Sequence, residues 1–96
     1  MSDWLGLDGK TIVVTGGSSG IGAAIVKELI HNGANVVNGD LKEGDLKDPK
    51  LTYVHTDVTD PEAVENLAAT AEKINGEIWG VVNNAGTVSY THLDAA

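Results

Sequence analysis

The chain has 96 residues, a formal net charge of −8 at pH 7 and no cysteine. All six basic residues are lysines that form no cluster, so the composition argues against a nucleic-acid partner. Without cysteine there is no disulfide or thiolate metal site, and no apolar run approaches the roughly 18 residues of a membrane-spanning helix. We therefore expect a cytoplasmic protein that holds no metal and binds neither nucleic acid nor membrane.

The first two predicted elements are a strand and a helix. A continuous apolar run indicates a parallel strand over residues 10–15 that is covered on both faces. The helical spacing of Ile21, Ile25 and Leu29 predicts a helix over residues 20–32 with these side chains on its buried stripe. Together the two elements would form the first β-α unit of the chain.

Two further strands follow, with little room for a helix between them. Apolar residues predict strands over residues 34–38 and 51–56. The segment 42–50 that joins them is polar and contains Gly44 and Pro49, so it has room for one helical turn at most. The second crossover helix is therefore predicted to be short or absent.

The last two predicted elements are a second helix and a fourth strand. Asp60 is a good N-cap and Pro61 fits the first helical position, which predicts a helix that ends at residues 75–76. A strand over residues 77–82 follows, and we expect its Trp79 to be buried against a helix.

The order of these elements is β-α-β-β-α-β. With right-handed crossovers, this order predicts four parallel strands arranged 3-2-1-4. The predicted fold class is therefore α/β, namely the N-terminal half of a doubly wound parallel sheet of the Rossmann type.

A glycine-rich turn, T-G-x-x-x-G-I-G over residues 15–22, joins the first strand to the first helix. Glycines at such a turn permit unusual backbone angles, close approach of a pyrophosphate and tight packing of the helix. The N–H groups of the first helical turn then face the phosphates. The alternative is a glycine-rich turn that binds nothing. On the first interpretation the phosphate-binding residues are Gly16, Ser18, Ser19, Gly20, Ile21 and Gly22.

Asp40 lies 18 residues after Gly22, at the end of the second predicted strand. In this fold a carboxylate there accepts hydrogen bonds from the adenosine ribose hydroxyls and repels a 2′-phosphate. The chain has no arginine to hold such a phosphate, and Lys42 alone is a weak argument for one. The sequence thus predicts NAD rather than NADP as the cofactor, with a simple turn residue as the alternative for Asp40.

The T-G-x-x-x-G-I-G turn, the pair Asp57-Val58 and the motif Asn83-Asn84-Ala85-Gly86 resemble the classical branch of the short-chain dehydrogenase/reductase family, from about residue 7 to residue 86. The resemblance implies that Asp57 accepts a hydrogen bond from the adenine amino group and that the Val58 backbone contacts the ring. It also implies that residues 84–86 (Asn84, Ala85 and Gly86) border the cofactor, while Asn83 mainly holds the sheet together. The alternative for Asp57 is a capping or loop aspartate.

Catalysis in this family requires a serine and a Y-x-x-x-K motif well beyond the fourth strand. Tyr90 comes too early for that tyrosine, and Asp94 stands where the lysine would be, so we assign no catalytic residue. We expect the longer parent protein to transfer hydride between NAD and a secondary alcohol or ketone, as a homo-oligomer, and this chain alone to be inactive. Residues 36–40, with Trp4-Leu5, resemble the sugar-phosphate branch that includes sorbitol-6-phosphate 2-dehydrogenases.

The sequence also leaves two alternatives to an enzyme open. The first is a non-catalytic NAD-binding regulatory module on the same fold, which the presence of Y-x-x-x-K in the full gene would exclude. The second is an inert truncated product, which cofactor titration would test.

The last residues differ in character from the rest of the chain. The segment 88–96 has no helical or strand period. Residues 88–93 can be encoded by DNA that resembles the transposase recognition end used in sequencing libraries. We expect residues 1–87 to be a partial NAD-binding domain and residues 88–96 to be a disordered tail that is not native sequence, with an ordinary divergent loop as the alternative.

Overall fold

The structure is a computed structural model that describes residues 6–75 and 77–84. The predicted tail at 88–96, the domain boundary at 87 and the site residues Ala85 and Gly86 lie outside these residues. The elements are β1 (Thr11–Thr15), α1 (Gly20–His31), β2 (Asn35–Asp40), β3 (Leu51–His55), α2 (Pro61–Asn75) and β4 (Ile78–Asn83).

The four strands form one parallel sheet in the order β3-β2-β1-β4, which confirms the predicted topology. The crossover that contains α1 runs from β1 to β2, whereas the crossover that contains α2 runs from β3 across the sheet to β4. Because the order of strands reverses at β1, the two helices cover opposite faces. The carboxyl ends of all four strands meet at one edge of the sheet.

Each face of the sheet has its own apolar core. The core beneath α1 consists of Leu7, Ile12, Val14, Val26, Ala34 and Val36. The core beneath α2 consists of Val13, Val37, Leu67 and Ala71. Alternate residues of β1 and β2 thus enter opposite cores, as expected for strands that are covered on both sides.

The crossover between β2 and β3 contains no helix, as the sequence predicted. Strand β2 extends two residues beyond the predicted end, to Asp40, because Gly39 pairs with Val54 and Asp40 pairs with His55 of β3. Within the described residues, neither helix is long and apolar enough to cross a bilayer.

The prediction of which side chains of the first helix are buried is wrong: the buried face is shifted by about one residue along the helix. Ile21 is 76% exposed and Ile25 and Leu29 are only half-buried, whereas Val26 of the same helix is buried against the sheet. The rotation of the helix is set by Gly22, which is buried because the helix begins directly against the glycine turn. A stripe that contains Gly22 and Val26 leaves Ile21 on the outer side.

The prediction that Trp79 is buried is also wrong, since its side chain is 55% exposed. Thr11 of β1 pairs with Ile78, but the next residue, Ile12, pairs with Gly80. Trp79 is therefore the additional residue of a β-bulge, which removes it from the regular alternation between the two faces.

We expect Thr11→Val to raise the free energy of unfolding by about 1 kcal/mol, because the buried Thr11 hydroxyl has no hydrogen-bond partner among the described residues. Urea denaturation measures this change. The matched control is Thr15→Val, where the hydroxyl accepts a hydrogen bond from the Asn84 N–H at 3.0 Å, so valine should be destabilising. A loss of stability in Thr11→Val as large as that in Thr15→Val would contradict the prediction.

Candidate functional site

The glycine turn adopts a backbone conformation that few other residues tolerate. Gly16 has a φ of 69° and Gly20 a φ of 60°, both in the left-handed region. The Gly16 N–H donates to the Gly39 carbonyl at 2.9 Å, so the turn remains bonded to β2 after β1 has ended. The turn thus connects β1 to α1 across the carboxyl edge of the sheet.

The first turn of α1 packs against this backbone without space for a side chain. A Cβ at Gly22 would overlap the Gly16 carbonyl oxygen and would lie 2.5 Å from Asn84 Nδ2. The glycine therefore permits the close packing of helix and strand that the sequence predicted for it.

The N-terminus of α1 retains the polar groups that attract an anion. Ser19 is the N-cap in an extended conformation, but its side chain makes no capping hydrogen bond. The first turn contains no acidic residue that would neutralise the helix dipole. The first-turn N–H groups lack intrahelical partners by the geometry of a helix. This end of the helix can therefore hold phosphate oxygens.

Asp40 ends β2 beside the glycine turn. Its Oδ2 accepts a hydrogen bond from the Ser18 N–H at 3.0 Å, and its Oδ1 accepts one from the Leu41 N–H at 2.6 Å. An ionised carboxylate has about four acceptor sites, so these two bonds orient the group without using its full capacity. Asp40 can accept further hydrogen bonds from a pair of hydroxyl groups.

Asp57 follows β3 and is oriented by its own loop. Its Oδ1 accepts hydrogen bonds from the Thr59 N–H at 2.9 Å and from the Thr59 hydroxyl at 2.6 Å. These bonds, the hydroxyl bond first, lower the pKa of the Asp57 carboxyl below its ordinary value of 3.8. The group is an exposed, ionised acceptor, and it also has the loop geometry that the alternative interpretation described.

In Thr59→Val we expect the pKa of Asp57 to rise toward 3.8, because the hydroxyl bond that favours the ionised form is removed. A lowered pKa contributes stability above the unfolded value, and this contribution is lost as the pH falls through the folded value. The difference in stability between the variant and the original chain should therefore shrink below about pH 4. A carboxyl-carbon NMR titration measures the shift, with Thr70→Val in α2 as the control. If the pKa of Asp57 were the same in Thr59→Val as in the original chain, the predicted role of the Thr59 hydroxyl would be wrong.

These groups surround one cleft of about 430 Å³ at the carboxyl edge of the sheet. The cleft is lined by Gly16, Ser19, Gly39, Asp40, Leu41, Thr56, Asp57, Val58, Thr59 and Asn84. Six of the residues that the sequence predicted therefore lie together: Gly16, Ser19, Asp40, Asp57, Val58 and Asn84. Gly20, Ile21 and Gly22 begin the adjacent helix and do not line the cleft.

Ser18 adjoins Asp40 but does not line this cleft. Its hydroxyl donates to the Lys42 carbonyl and accepts a hydrogen bond from Asn38 Nδ2 at 3.0 Å. The hydroxyl is therefore bonded within the protein, and it is the Ser18 N–H that bonds to Asp40.

Asn84 joins β4 to the end of β1. Its side-chain Nδ2 donates to the Gly16 carbonyl at 3.0 Å, and its N–H donates to the Thr15 hydroxyl at 3.0 Å. The bridging predicted for Asn83 is thus made by Asn84, which also lines the cleft, while the Asn83 side chain is exposed.

Asn38, which was not among the predicted residues, bonds directly to the glycine turn. This residue follows Val36 and Val37 in β2 and is only 3% exposed. A buried amide needs hydrogen-bond partners, and Asn38 finds them in Gly17 and Ser18 of the glycine turn. An asparagine directly after two valines, at the end of a predicted strand, was the signal that could have identified it.

A larger cavity of about 580 Å³ lies on the α1 face, under the loop that joins β2 to β3. Its walls include Ala23 of α1, Tyr53 of β3 and loop residues 43–49. Gly17 and Ser18 of the glycine turn also line this cavity, but Asp40 and Asp57 do not, so we identify the predicted cofactor site with the cleft of about 430 Å³ and not with this cavity. In the described part of the chain no three His, Asp or Glu side chains come together to hold a metal ion.

Comparison with known proteins agrees with the topology and the motifs. The model of the short chain dehydrogenase family matches residues 10–95, and the chain belongs to this family of oxidoreductases. It is 48% identical over 82 residues to an acetoacetyl-CoA reductase of Synechocystis, covering 85% of this chain and 34% of that protein. It is 39% identical over 88 residues to a sorbitol-6-phosphate 2-dehydrogenase of Klebsiella pneumoniae, covering 90% of this chain and 33% of that protein.

Solved structures of the family share the fold. The ligand-free aldohexose dehydrogenase of Thermoplasma acidophilum has a TM-score of 0.74 and 33% identity, covering 94% of this chain and 34% of that one. The 3-ketoacyl-(acyl-carrier-protein) reductase of Brucella melitensis, complexed with NADH, has a TM-score of 0.70 and 26% identity, covering 78% of this chain and 34% of that one. The chain spans about a third of the length of the relatives it matches.

Proposed function

We propose that this chain is the NAD-binding part of an oxidoreductase that transfers hydride between NAD and a secondary alcohol or ketone. One observation carries the proposal: Gly16 of the glycine turn, the N-cap Ser19 of α1 and Asp40 all line one cleft. The helix end suits the pyrophosphate, and Asp40 suits a ribose with two hydroxyl groups.

A dinucleotide fits the proposed site because one end of the site offers hydrogen-bond donors and the other end offers hydrogen-bond acceptors. The turn and helix end offer N–H donors without a nearby acidic side chain on the helix, whereas Asp40 offers acceptor oxygens. A 2′-phosphate on the ribose would meet the Asp40 charge, and the chain contains no arginine that could neutralise it. NAD is therefore the proposed cofactor. The NADH complex of the Brucella reductase supports this choice by analogy.

The substrate class is proposed from the family alone. The relatives named above act on different compounds, and the chain covers about a third of each. We propose a secondary alcohol or ketone, with a sugar phosphate as the narrower possibility that the Klebsiella enzyme suggests. A cytoplasmic location and a homo-oligomeric parent belong to the same proposal.

Calorimetric titration of the 96-residue chain with NAD and with NADP tests the cofactor assignment. We expect NAD to bind about tenfold more tightly, which corresponds to about 1.4 kcal/mol. Equal or tighter binding of NADP would contradict the assignment to NAD. Binding of neither dinucleotide would favour the inert truncated product.

A further inference from the structure

Asn38 is a buried amide that connects the middle of β2 to the glycine turn. Its Oδ1 accepts a hydrogen bond from the Gly17 N–H at 2.8 Å, and its Nδ2 donates to the Ser18 hydroxyl oxygen at 3.0 Å. Both ends of the amide thus bond to consecutive residues of the turn, 20 and 21 positions away in sequence. The side chain is only 3% exposed, so water does not readily replace these partners.

The turn is pressed closely onto this amide. A Cβ at Gly17 would lie 2.6 Å from Asn38 Oδ1 and 2.8 Å from a methyl carbon of Val26. The backbone at Gly17 therefore lies between α1 and β2 with no room for a side chain. If the amide were removed, the buried Gly17 N–H would lose its acceptor, and few polar groups could take its place.

Ser18 extends the contact from Asn38 to the residues that follow β2. Its hydroxyl accepts from Asn38 and donates to the Lys42 carbonyl, while its N–H donates to Asp40 Oδ2 at 3.0 Å. The hydrogen bonds thus run from Asn38 through Ser18 to the Asp40 carboxylate. The turn and the carboxylate are connected before any ligand is present.

Asn38 itself does not line the proposed cofactor cleft. It lines the separate cavity on the α1 face, and the cleft is formed by other residues of β2 and of the turn. The side-chain hydrogen bonds of Asn38 therefore reach the cleft indirectly, through the glycine turn and through Ser18 to Asp40.

We propose that Asn38 is a positioning residue, which fixes the phosphate-binding turn and, through Ser18, the Asp40 carboxylate in the geometry that binds the dinucleotide. This inference rests on the proposed function for its ligand. A turn that is ordered in advance loses less conformational entropy on binding, so its contribution should appear in affinity for the phosphate-bearing part of the cofactor. Leu41 gives Asp40 a second donor, so the ribose contact depends less on Asn38.

The first measurement needs neither a variant nor a ligand. Amide hydrogen exchange of the full 96-residue chain, followed by NMR, should show the Gly17 N–H protected to about the same degree as the amides of β1. Exchange of Gly17 as fast as that of an exposed loop amide would overturn the proposal.

The second measurement compares Asn38→Ala with Asn35→Ala. Asn35 is a half-buried asparagine of the same strand, and its side-chain Nδ2 donates to the Gly9 carbonyl at 3.5 Å. In Asn38→Ala we expect about tenfold faster exchange at Gly17 and about tenfold weaker binding of ADP, with a smaller loss for adenosine. Asn35→Ala should change none of these. Equal losses for ADP and adenosine, or equal effects of the two variants, would show a general loss of structure and overturn the proposal.

Failure of this proposal and failure of the proposed function would give different experimental results. If the original chain bound neither ADP nor NAD, the proposed function would fail. Exchange at Gly17 would still decide whether Asn38 holds the turn. If Asn38→Ala did not fold, as judged by circular dichroism, exchange in the original chain would decide the same point.

Discussion

Replacing Gly22 with alanine should lower the free energy of unfolding by about 3 kcal/mol and abolish measurable dinucleotide binding. The new methyl group would overlap the Gly16 carbonyl oxygen and crowd Asn84 Nδ2 at 2.5 Å. The carbonyl belongs to backbone that cannot easily move, since the Gly16 N–H is bonded to Gly39. The clash would therefore separate the start of α1 from the turn. Alanine's better helix propensity, about 1 kcal/mol, offsets only part of this cost.

The matched control is Gly80→Ala in β4, where a Cβ would meet nothing within 4 Å and φ is not in the left-handed region. We expect Gly80→Ala to be neutral or slightly stabilising, because alanine restricts the unfolded chain more than glycine does. Urea denaturation measures both variants, and calorimetry measures binding of NAD. If the two variants unfolded at the same urea concentration, the packing role of Gly22 would be wrong.

The topology was predictable because it depends on features that are local in sequence. The apolar runs, the N-cap at Asp60 and the polar segment 42–50 each specify a strand, a helix start or a missing helix without reference to the rest of the chain. Indeed, Asp60 Oδ1 accepts a hydrogen bond from the Glu62 N–H at 3.0 Å, as expected of an N-cap. Right-handed crossovers then leave one arrangement of the four strands.

The predictions that failed depend on how elements meet. Trp79 is exposed because a bulge between β1 and β4 shifts the pairing by one residue, and nothing in a single strand marks that shift. Ile21 is exposed because the contact of Gly22 with the turn sets the rotation of α1. Helical periodicity identified the helix but could not specify its rotation to within one residue.

The predicted site residues also differ in whether local sequence or the packing of distant elements determines their role. Asp40 was predicted from its place at the end of the second strand in this fold, and Asp57 was predicted from the resemblance to the family. Both residues line one cleft at the carboxyl edge of the sheet. The role of Ser18 was harder to predict, because its hydroxyl bonds to Asn38 and Lys42 across more than 19 residues of sequence. A serine in a glycine-rich turn can bond either to a ligand or to the protein, and only the packed structure distinguishes these.

Asp40→Ala should narrow the difference between NAD and NADP binding by about 1–2 kcal/mol. NAD would lose the charge-assisted hydrogen bonds that the proposal assigns to its ribose, and NADP would no longer meet the carboxylate charge. The variant also removes the acceptor of the Ser18 N–H, so part of its effect could come from a displaced turn. Asp40→Asn separates these causes, since its side-chain oxygen can still accept a hydrogen bond from the Ser18 N–H while the charge is removed.

In Asp40→Asn we therefore expect NADP to gain affinity while NAD loses less than in Asp40→Ala. The control for charge alone is Glu72→Gln, an exposed residue near the C-terminal end of α2, which should leave the preference unchanged because it lies away from Asp40 and solvent screens its charge. All four chains are titrated with both dinucleotides at the same ionic strength. Should Asp40→Asn and Glu72→Gln shift the preference equally, the net negative charge of the chain, and not the position of Asp40 at the end of β2, would determine the choice of cofactor.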